Sequence, residues 1–175
     1  MNIVNCVAKW PGSVHDARIL RESPLFEAFE SSNKPLSGYI LGDSGYMLRD
    51  WLMTPISAVR SAKDEAYNKA LCGTRCTVER CIGVLKRRWH CLHTELRVSP
   101  QRACQIICAC VILHNRAVQL RQLDVDDVAA DGNDDDADDT GTDVNPGSGG
   151  KQSVAEQARV AAGKAARDRL IANVF

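Results

Sequence analysis

The sequence predicts an α/β fold in which short buried strands alternate with longer helices. Apolar runs at residues 3–7 and 39–41 have the length of strands, and Gly38 marks the start of the second. Residues 66–89 and 100–120 repeat apolar side chains at the spacing of an α-helix. The chain has 175 residues and 45% apolar content, which suits one globular unit with appendages.

The first helix is predicted from a turn and a capping pattern. Trp, Pro and Gly at residues 10–12 form a turn signal. Ser13 and Asp16 follow at the spacing of a capping box, in which each side chain satisfies a backbone N–H of the first turn. We therefore expect one helix that begins near Asp16 and runs on towards Phe29.

A later apolar helix begins where Ser99–Pro100 places an N-cap residue before proline, and it ends near Leu120. We expect it to be a core helix, and its Cys104 and Cys108 recur at helical spacing with Val111. The eight cysteines also allow a zinc site, although no Cys-x-x-Cys pair is present. Because free cysteine is among the most buried residue types, we favour core cysteines over zinc ligands.

The sequence indicates neither a secreted disulfide scaffold nor a membrane protein. Its cysteines are scattered, and residues 1–6 lack the basic and long apolar regions of a signal peptide. The longest apolar run, Ile106–Leu113, has eight residues, whereas a membrane helix needs roughly 20. We therefore expect a reduced compartment and no membrane partner.

Charge is distributed unevenly along the chain. Residues 1–123 hold 17 Lys and Arg against 10 Asp and Glu, whereas residues 124–143 hold ten Asp and no base. A basic body suits polyanion binding, although ordinary soluble domains share such an excess. We divide the chain into a domain at 1–123, a disordered acidic and Gly-rich linker at 124–150, and a basic Ala-rich marginal helix at 151–175. We expect that helix to dock on nothing in particular.

Two acidic residues are candidate metal ligands. Asp43 follows the apolar run at 39–41, so it is expected at the end of a buried strand, where functional residues are often found. Glu79 lies in the helical stretch beside the apolar positions, which puts its carboxylate at the border of the buried side. Those apolar positions are Val78, Ile82, Leu85 and Trp89.

The Glu79 helix also carries a stripe formed by Arg75, Glu79, Gly83 and Lys86, which are spaced to share one face. In one interpretation, Glu79 holds a divalent cation, Gly83 lets a nucleic-acid backbone approach, and the two basic residues contact phosphates. In the other, Arg75 and Glu79 form a surface ion pair and Lys86 is solvated. Spacing alone favours the second interpretation.

Four motifs occur in order: Trp-Pro-Gly-Ser-Val-His-Asp at 10–16, Gly-Asp-Ser-Gly-Tyr at 42–46, the stretch at 75–89, and Leu-His-Asn at 113–115. Together they resemble the PIF/Harbinger group of DDE transposases, which includes the Harbinger transposase-derived nucleases. The resemblance covers about residues 3–120. Four ordered motifs are far more specific than any one of them.

This resemblance implies an RNase H-like core, a mixed sheet flanked by helices, of which residues 1–123 are the catalytic domain in partial form. It also implies an acidic triad that binds divalent cations, Mg²⁺ or Mn²⁺, for DNA cleavage. Asp43 is then the second triad residue and Glu79 the third. The family's first aspartate lies on an upstream strand, and no acid precedes Trp10 here. We therefore expect a truncated start that lacks this strand.

His15 and Asp16 belong to the first motif and are candidate accessory residues. For Asp16, the capping box is favoured over metal ligation. The implied function is a metal-dependent DNA endonuclease or transposase-derived nuclease, and the alternative is an inactive transposon remnant that binds DNA or protein. The implied partners are DNA and a separate Myb-like DNA-binding protein. The substrate suggests the nucleus as the location, with the cytoplasm as a second one.

Overall fold

The computed structural model describes residues 1–31, 34–122 and 153–175. Within these ranges, helices dominate, and two short strands form a small sheet. The elements in chain order are α1 (Asp16–Arg21), α2 (Pro24–Glu30), β1 (Ile40–Leu41), β2 (Leu52–Met53), α3 (Ala62–Arg88), the 3-10 helix η1 (His90–Leu92), α4 (Pro100–Gln119) and α5 (Val154–Val174). The observed mixture agrees with the predicted α/β class, whereas the RNase H-like core stays a prediction.

The chain divides into two compact units, and the boundary falls inside α3, between Arg75 and Cys76. The described part of the first unit, called here the α4 unit, consists of residues 1–12 and 76–122. The described part of the second, called the sheet unit, consists of residues 13–31, 34–75 and 153–175.

The sheet unit is built around the two strands, which pair in parallel with Ile40 opposite Leu52. Because the strands are parallel, the chain must return from the C-terminal end of β1 to the end of the sheet where β1 begins. Residues 42–51 form this connection. Beside the strands, Trp51 is almost fully buried, and its ring lies 5.1 Å from the ring of Phe29. This aromatic contact joins α2 to the sheet and so holds one end of the connection.

The predicted single helix near Asp16 is in fact two short helices, and the predicted Ser13 cap is wrong. α1 begins after His15, which is its N-cap residue and makes no side-chain capping bond. A second start follows at Ser23, whose Oγ accepts a hydrogen bond from the backbone N–H of Phe26, 3.2 Å away. A better cap within the expected helix therefore divides it.

The helix α5 packs on the rest of the sheet unit, so the expectation that it docks on nothing in particular is wrong. Its Ala166 and Ile171 are buried in one cluster with Met53 of β2. A Cβ added at Gly163 would lie 3.0 Å from the backbone carbonyl carbon of Arg49. The predicted Ser153 cap is confirmed, because its Oγ accepts from the backbone N–H of Glu156.

A buried ionic network adds to this docking. The Arg49 side chain is 2% exposed and donates to Glu30 Oε1 at 3.2 Å and to Glu156 Oε1 at 2.6 Å. Glu30 Oε1 also accepts from the indole N–H of Trp51, and Glu30 Oε2 accepts from Arg159. Because a buried guanidinium is costly without partners, the two carboxylates make the burial of Arg49 tolerable and tie α2 to α5.

The α4 unit joins α4 to the end of α3 and to the N-terminal residues. Leu85, Cys110 and Val111 form its buried cluster, and Ile3 packs beside them. Residues 3–7 are irregular, so the predicted strand is wrong. The backbone of Ile3 is instead paired with a side chain: its N–H donates to Asn115 Oδ1 and its C=O accepts from Asn115 Nδ2, both at 2.8 Å.

His114, in the same motif as Asn115, is 1% exposed and holds the chain start as well. Its Nδ1 lies 3.2 Å from a guanidinium nitrogen of Arg88, and its Nε2 lies 3.2 Å from the backbone oxygen of Met1. A guanidinium can only donate, so Nδ1 is the acceptor and Nε2 carries the proton that it donates to Met1. The Leu-His-Asn motif therefore anchors residues 1–3.

Several side chains predicted as core are exposed. On α3, Leu85 is buried and Trp89 is half-buried, but Val78 is 61% exposed and Ile82 is exposed. On α4, Ile112 and Leu113 are exposed, so the prediction of a core helix holds for one side alone. Of the eight cysteines, Cys81 and Cys110 are buried and Cys104 is half-buried, whereas the others, Cys108 among them, are exposed. Among the helices in described residues, none is long and apolar enough to cross a membrane.

Candidate functional site

Asp43 lies two residues after β1, at the start of the connection to β2, as the sequence predicted, although β1 is half-buried and not buried. Its Oδ1 accepts a hydrogen bond from the backbone N–H of Gly45 at 2.9 Å, which closes a tight turn. Gly42 brings the ring of Tyr46 close, because a Cβ at Gly42 would lie 3.0 Å from that ring. The Gly-Asp-Ser-Gly-Tyr motif thus folds Tyr46 back beside Asp43.

A basic side chain from α3 reaches the same turn. The Arg75 guanidinium lies 3.9 Å from Asp43 Oδ2, with 25% of the Arg75 side chain and 35% of the Asp43 side chain exposed. A pair this exposed contributes little to stability. The pair matters for its position, because it places the positively charged Arg75 guanidinium beside Asp43, the candidate metal ligand.

Asp16 belongs to the same neighbourhood. Burial raises the pKa of the Tyr46 phenol, and the negative charges of Asp16 and Asp43 raise it further, whereas Arg75 opposes them. Two carboxylates therefore act on one phenol, which stays protonated and able to donate a hydrogen bond. With the Ser13 cap absent, this proximity is what the structure shows for Asp16.

The remaining predicted site residues are Glu79, Lys86 and His15. Glu79 and Lys86 are exposed residues of α3 within the α4 unit. His15 is exposed, and its backbone oxygen accepts from the N–H of Arg18 at the start of α1. Asp43, Asp16 and Arg75 are thus grouped in the sheet unit, whereas joint ligation by Asp43 and Glu79 stays a prediction.

The chemistry of Asp43 fits a hard cation. A carboxylate offers about four lone-pair sites, and Gly45 occupies one of them, so Asp43 retains capacity for an oxygen-ligated metal. A cation bound there would share the carboxylate with Arg75. Over the described ranges, no group of three or more His, Cys, Asp or Glu side chains is arranged to hold a metal ion.

Sequence reasoning missed the position of Tyr46 beside Asp43 and the pairing of Arg75 with Asp43. The motif itself contained the first signal: Tyr46 stands three residues after Asp43, and its backbone N–H bonds to the Asp43 carbonyl across the turn. The second had no sequence signal, because 32 positions separate the pair along the chain.

Residues 1–115 match the protein family described as DDE superfamily endonuclease. The chain belongs to this family. Among its relatives is "Putative nuclease HARBI1" from Mus musculus, 38% identical over 109 residues, which are 61% of this chain and 31% of the relative. The Xenopus laevis protein of the same name is 38% identical over 117 residues, 65% of this chain and 33% of the relative.

An Arabidopsis thaliana relative named "Protein ALP1-like" is 28% identical over 141 residues, which are 73% of this chain and 35% of the relative. These DDE relatives agree with the resemblance to Harbinger transposase-derived nucleases. The chain spans about a third of the length of the curated relatives it matches. No solved structure matches the chain.

Proposed function

We propose that the chain is part of a Mg²⁺- or Mn²⁺-dependent DNA endonuclease of the Harbinger type, with Asp43 and Glu79 as metal ligands. The placement of Asp43 carries this proposal. Its half-buried carboxylate follows β1, keeps free lone pairs and lies inside the family match. A fixed carboxylate at a strand end is a suitable ligand for a hard cation.

Each neighbouring residue then has a role that follows from its chemistry. A bound divalent cation supplies an activated water and stabilises charge on the leaving oxygen. The protonated phenol of Tyr46 donates a hydrogen bond to a phosphate oxygen, and burial together with the charges of Asp16 and Asp43 raises the pKa of that phenol. Arg75 and Lys86 contact phosphates by charge, and His15 is an accessory residue. The proposal includes DNA and a Myb-like protein as partners, and the nucleus, with the cytoplasm second, as the location.

Metal binding by single-carboxylate variants tests the proposal. Mn²⁺ is titrated into the full chain and free Mn²⁺ is followed by electron paramagnetic resonance. We expect Asp43→Asn and Glu79→Gln each to weaken Mn²⁺ binding at least tenfold, because each removes a charged ligand. Asp50→Asn and Glu95→Gln are matched controls that remove exposed carboxylates outside the proposed site. Equal affinity in all five proteins would exclude Asp43 and Glu79 as ligands.

Cleavage of plasmid DNA is measured with the same five proteins. Any Mn²⁺-dependent nicking by the parent chain should be lost in Asp43→Asn and Glu79→Gln, because each variant removes a proposed metal ligand. Nicking that persists in both variants, or that survives a chelator, would contradict the proposed chemistry.

The excess of basic side chains in residues 1–123 favours a second candidate function, in which the chain binds DNA or protein without cleaving it. Residues 1–123 carry seven more basic than acidic side chains. In that case, DNA binding should weaken steeply with salt, and no nicking should appear at any Mn²⁺ concentration. Binding that does not respond to salt would exclude this candidate.

A further inference from the structure

Beside Asp43, the sheet unit contains an open cleft of about 520 Å³. Three segments line it. The β1–β2 connection contributes Ser44 and Tyr46, the segment before α3 contributes Ser57 and Arg60, and α5 contributes Lys164 and Arg167. The cleft therefore begins at the residue next to Asp43 and ends on the C-terminal helix.

The lining is positively charged and rich in hydrogen-bond donors. It includes two Arg, one Lys and several hydroxyl groups, and no carboxylate among the described residues lines it. Asp64 is an acid close enough to Arg167 for the positive charge of that side chain to act on it. Its Oδ2 accepts from the backbone N–H of Arg60 at 2.9 Å and of Ser61 at 3.2 Å. Asp64 therefore fixes the segment that carries Arg60.

Arg167 is incompletely satisfied within the protein. Its Nε is buried and has no hydrogen-bond partner in the parts of the chain that the structure describes. One terminal nitrogen donates to the carbonyls of Thr54 and Pro55, both at 3.5 Å, the upper limit for a hydrogen bond. Arg167 lines the cleft and these two hydrogen bonds are long, so its guanidinium is suited to a strong acceptor with several oxygens.

We propose that this cleft binds a phosphate group of a nucleic-acid backbone next to Asp43. Phosphate carries a negative charge and several acceptor oxygens, which complement the positively charged donors of Arg60, Lys164 and Arg167. The inference rests on the proposed function, because it extends the same site along the substrate. It goes beyond it in assigning a binding role to α5, which lies outside the family match at residues 1–115.

Equilibrium binding of a fluorescent DNA oligonucleotide tests the inference. The full chain is compared with the double variant Arg60→Ala/Lys164→Ala in buffer that contains a chelator, so that metal ligation does not contribute. The control is Lys69→Ala/Arg169→Ala, which removes two exposed charges of α3 and α5 that do not line the cleft. Arg167 is left unchanged because it also bonds to backbone carbonyls.

We expect the cleft variant to bind DNA on the order of tenfold more weakly, with a salt slope smaller by about two, one for each lost phosphate contact. The control should stay within about twofold of the parent. Equal weakening in both double variants would mean that general charge is responsible, and it would overturn the cleft assignment.

Titration with inorganic phosphate, followed by amide chemical shifts, separates this inference from the nuclease proposal. Saturable shifts at Ser44, Tyr46 and Lys164 that disappear in the cleft variant support a phosphate site even if the chain cleaves nothing. Scattered or non-saturating shifts overturn it even if Asp43 binds Mn²⁺. Saturable phosphate shifts, combined with equal DNA affinity of the parent chain and the cleft variant, would restrict the site to free phosphate and overturn the nucleic-acid assignment.

Discussion

Two glycines in helix interiors should respond in opposite ways to the same substitution, Gly→Ala. Gly73 lies within α3, and an added Cβ there meets no atom within 4 Å. Gly163 lies within α5, and an added Cβ there meets the backbone N, Cα and C of Arg49 at 3.0 to 3.1 Å. The two sites thus share a helical backbone and differ in their neighbours.

The magnitude follows from two opposing terms. Alanine is favoured over glycine in a helix interior by about 1 kcal/mol, and this gain applies to both sites. At Gly163, the Arg49 backbone cannot easily yield, because its N–H and C=O bond to Leu52 and its side chain is held by two carboxylates. Overpacking of this kind costs about 1–3 kcal/mol. We expect Gly73→Ala to stabilise by about 1 kcal/mol and Gly163→Ala to destabilise by about 1 kcal/mol.

The assay should report on the sheet unit alone, because two units need not unfold together. The amides of Ile40 and Gly42 donate to Trp51 and Met53 across the sheet, so their hydrogen exchange measures its opening. Exchange in these amides should slow in Gly73→Ala and accelerate in Gly163→Ala. If Gly163→Ala slowed exchange as much as Gly73→Ala, the docking of α5 against Arg49 would be refuted.

Three further predictions concern other parts of the structure. Asn115→Ala should increase amide exchange at Ile3 by an amount equivalent to about 1–2 kcal/mol, since two hydrogen bonds are lost, whereas Asn5→Ala at an exposed position should not. Glu30→Ala should destabilise the sheet unit by about 3 kcal/mol in urea unfolding, because buried Arg49 loses a partner, whereas Glu27→Ala on the same helix should change it little. Folding favours the neutral phenol of Tyr46, so its contribution is present below pH of about 10 and is lost as pH rises through the raised pKa. An absorbance titration should show the pKa of Tyr46 falling in Asp16→Asn, and an unchanged pKa would contradict the proximity of Asp16.

Local signals predicted local structure well. Ser99 and Ser153 each accept a hydrogen bond from the backbone three residues on, as their capping patterns predicted. The end of β1 next to Asp43 was also predictable, because a short apolar run followed by glycine is typical of a strand that ends in a turn. The pattern at Ser13 failed, because the same spacing occurs in irregular segments and Ser23 offered a stronger start nearby.

Periodicity proved a weaker guide to burial than to helix formation. The α3 pattern correctly predicted a helix, yet Val78 and Ile82 are exposed while Cys81 and Leu85 are buried. An apolar side chain needs a partner surface as well as a helical position, and periodicity contains no information about that surface. The same reason explains α4, where Val111 is buried and the neighbouring Ile112 is exposed.

The docking of α5 was the least predictable feature, and the cleft beside Asp43 depends on it. The Arg49 network joins Glu30, 19 residues before it, to Glu156, 107 residues after it. Neither contact has a sequence signal, since an arginine followed far along the chain by a glutamate is common. Together with the apolar cluster around Met53, however, they hold α5 at the β1–β2 connection and place Lys164 and Arg167 in the cleft that starts at Ser44. The buried ion pairs of Arg49 therefore have a positional role, because they help to hold α5, and with it two of the three cations of the candidate phosphate site, at this connection.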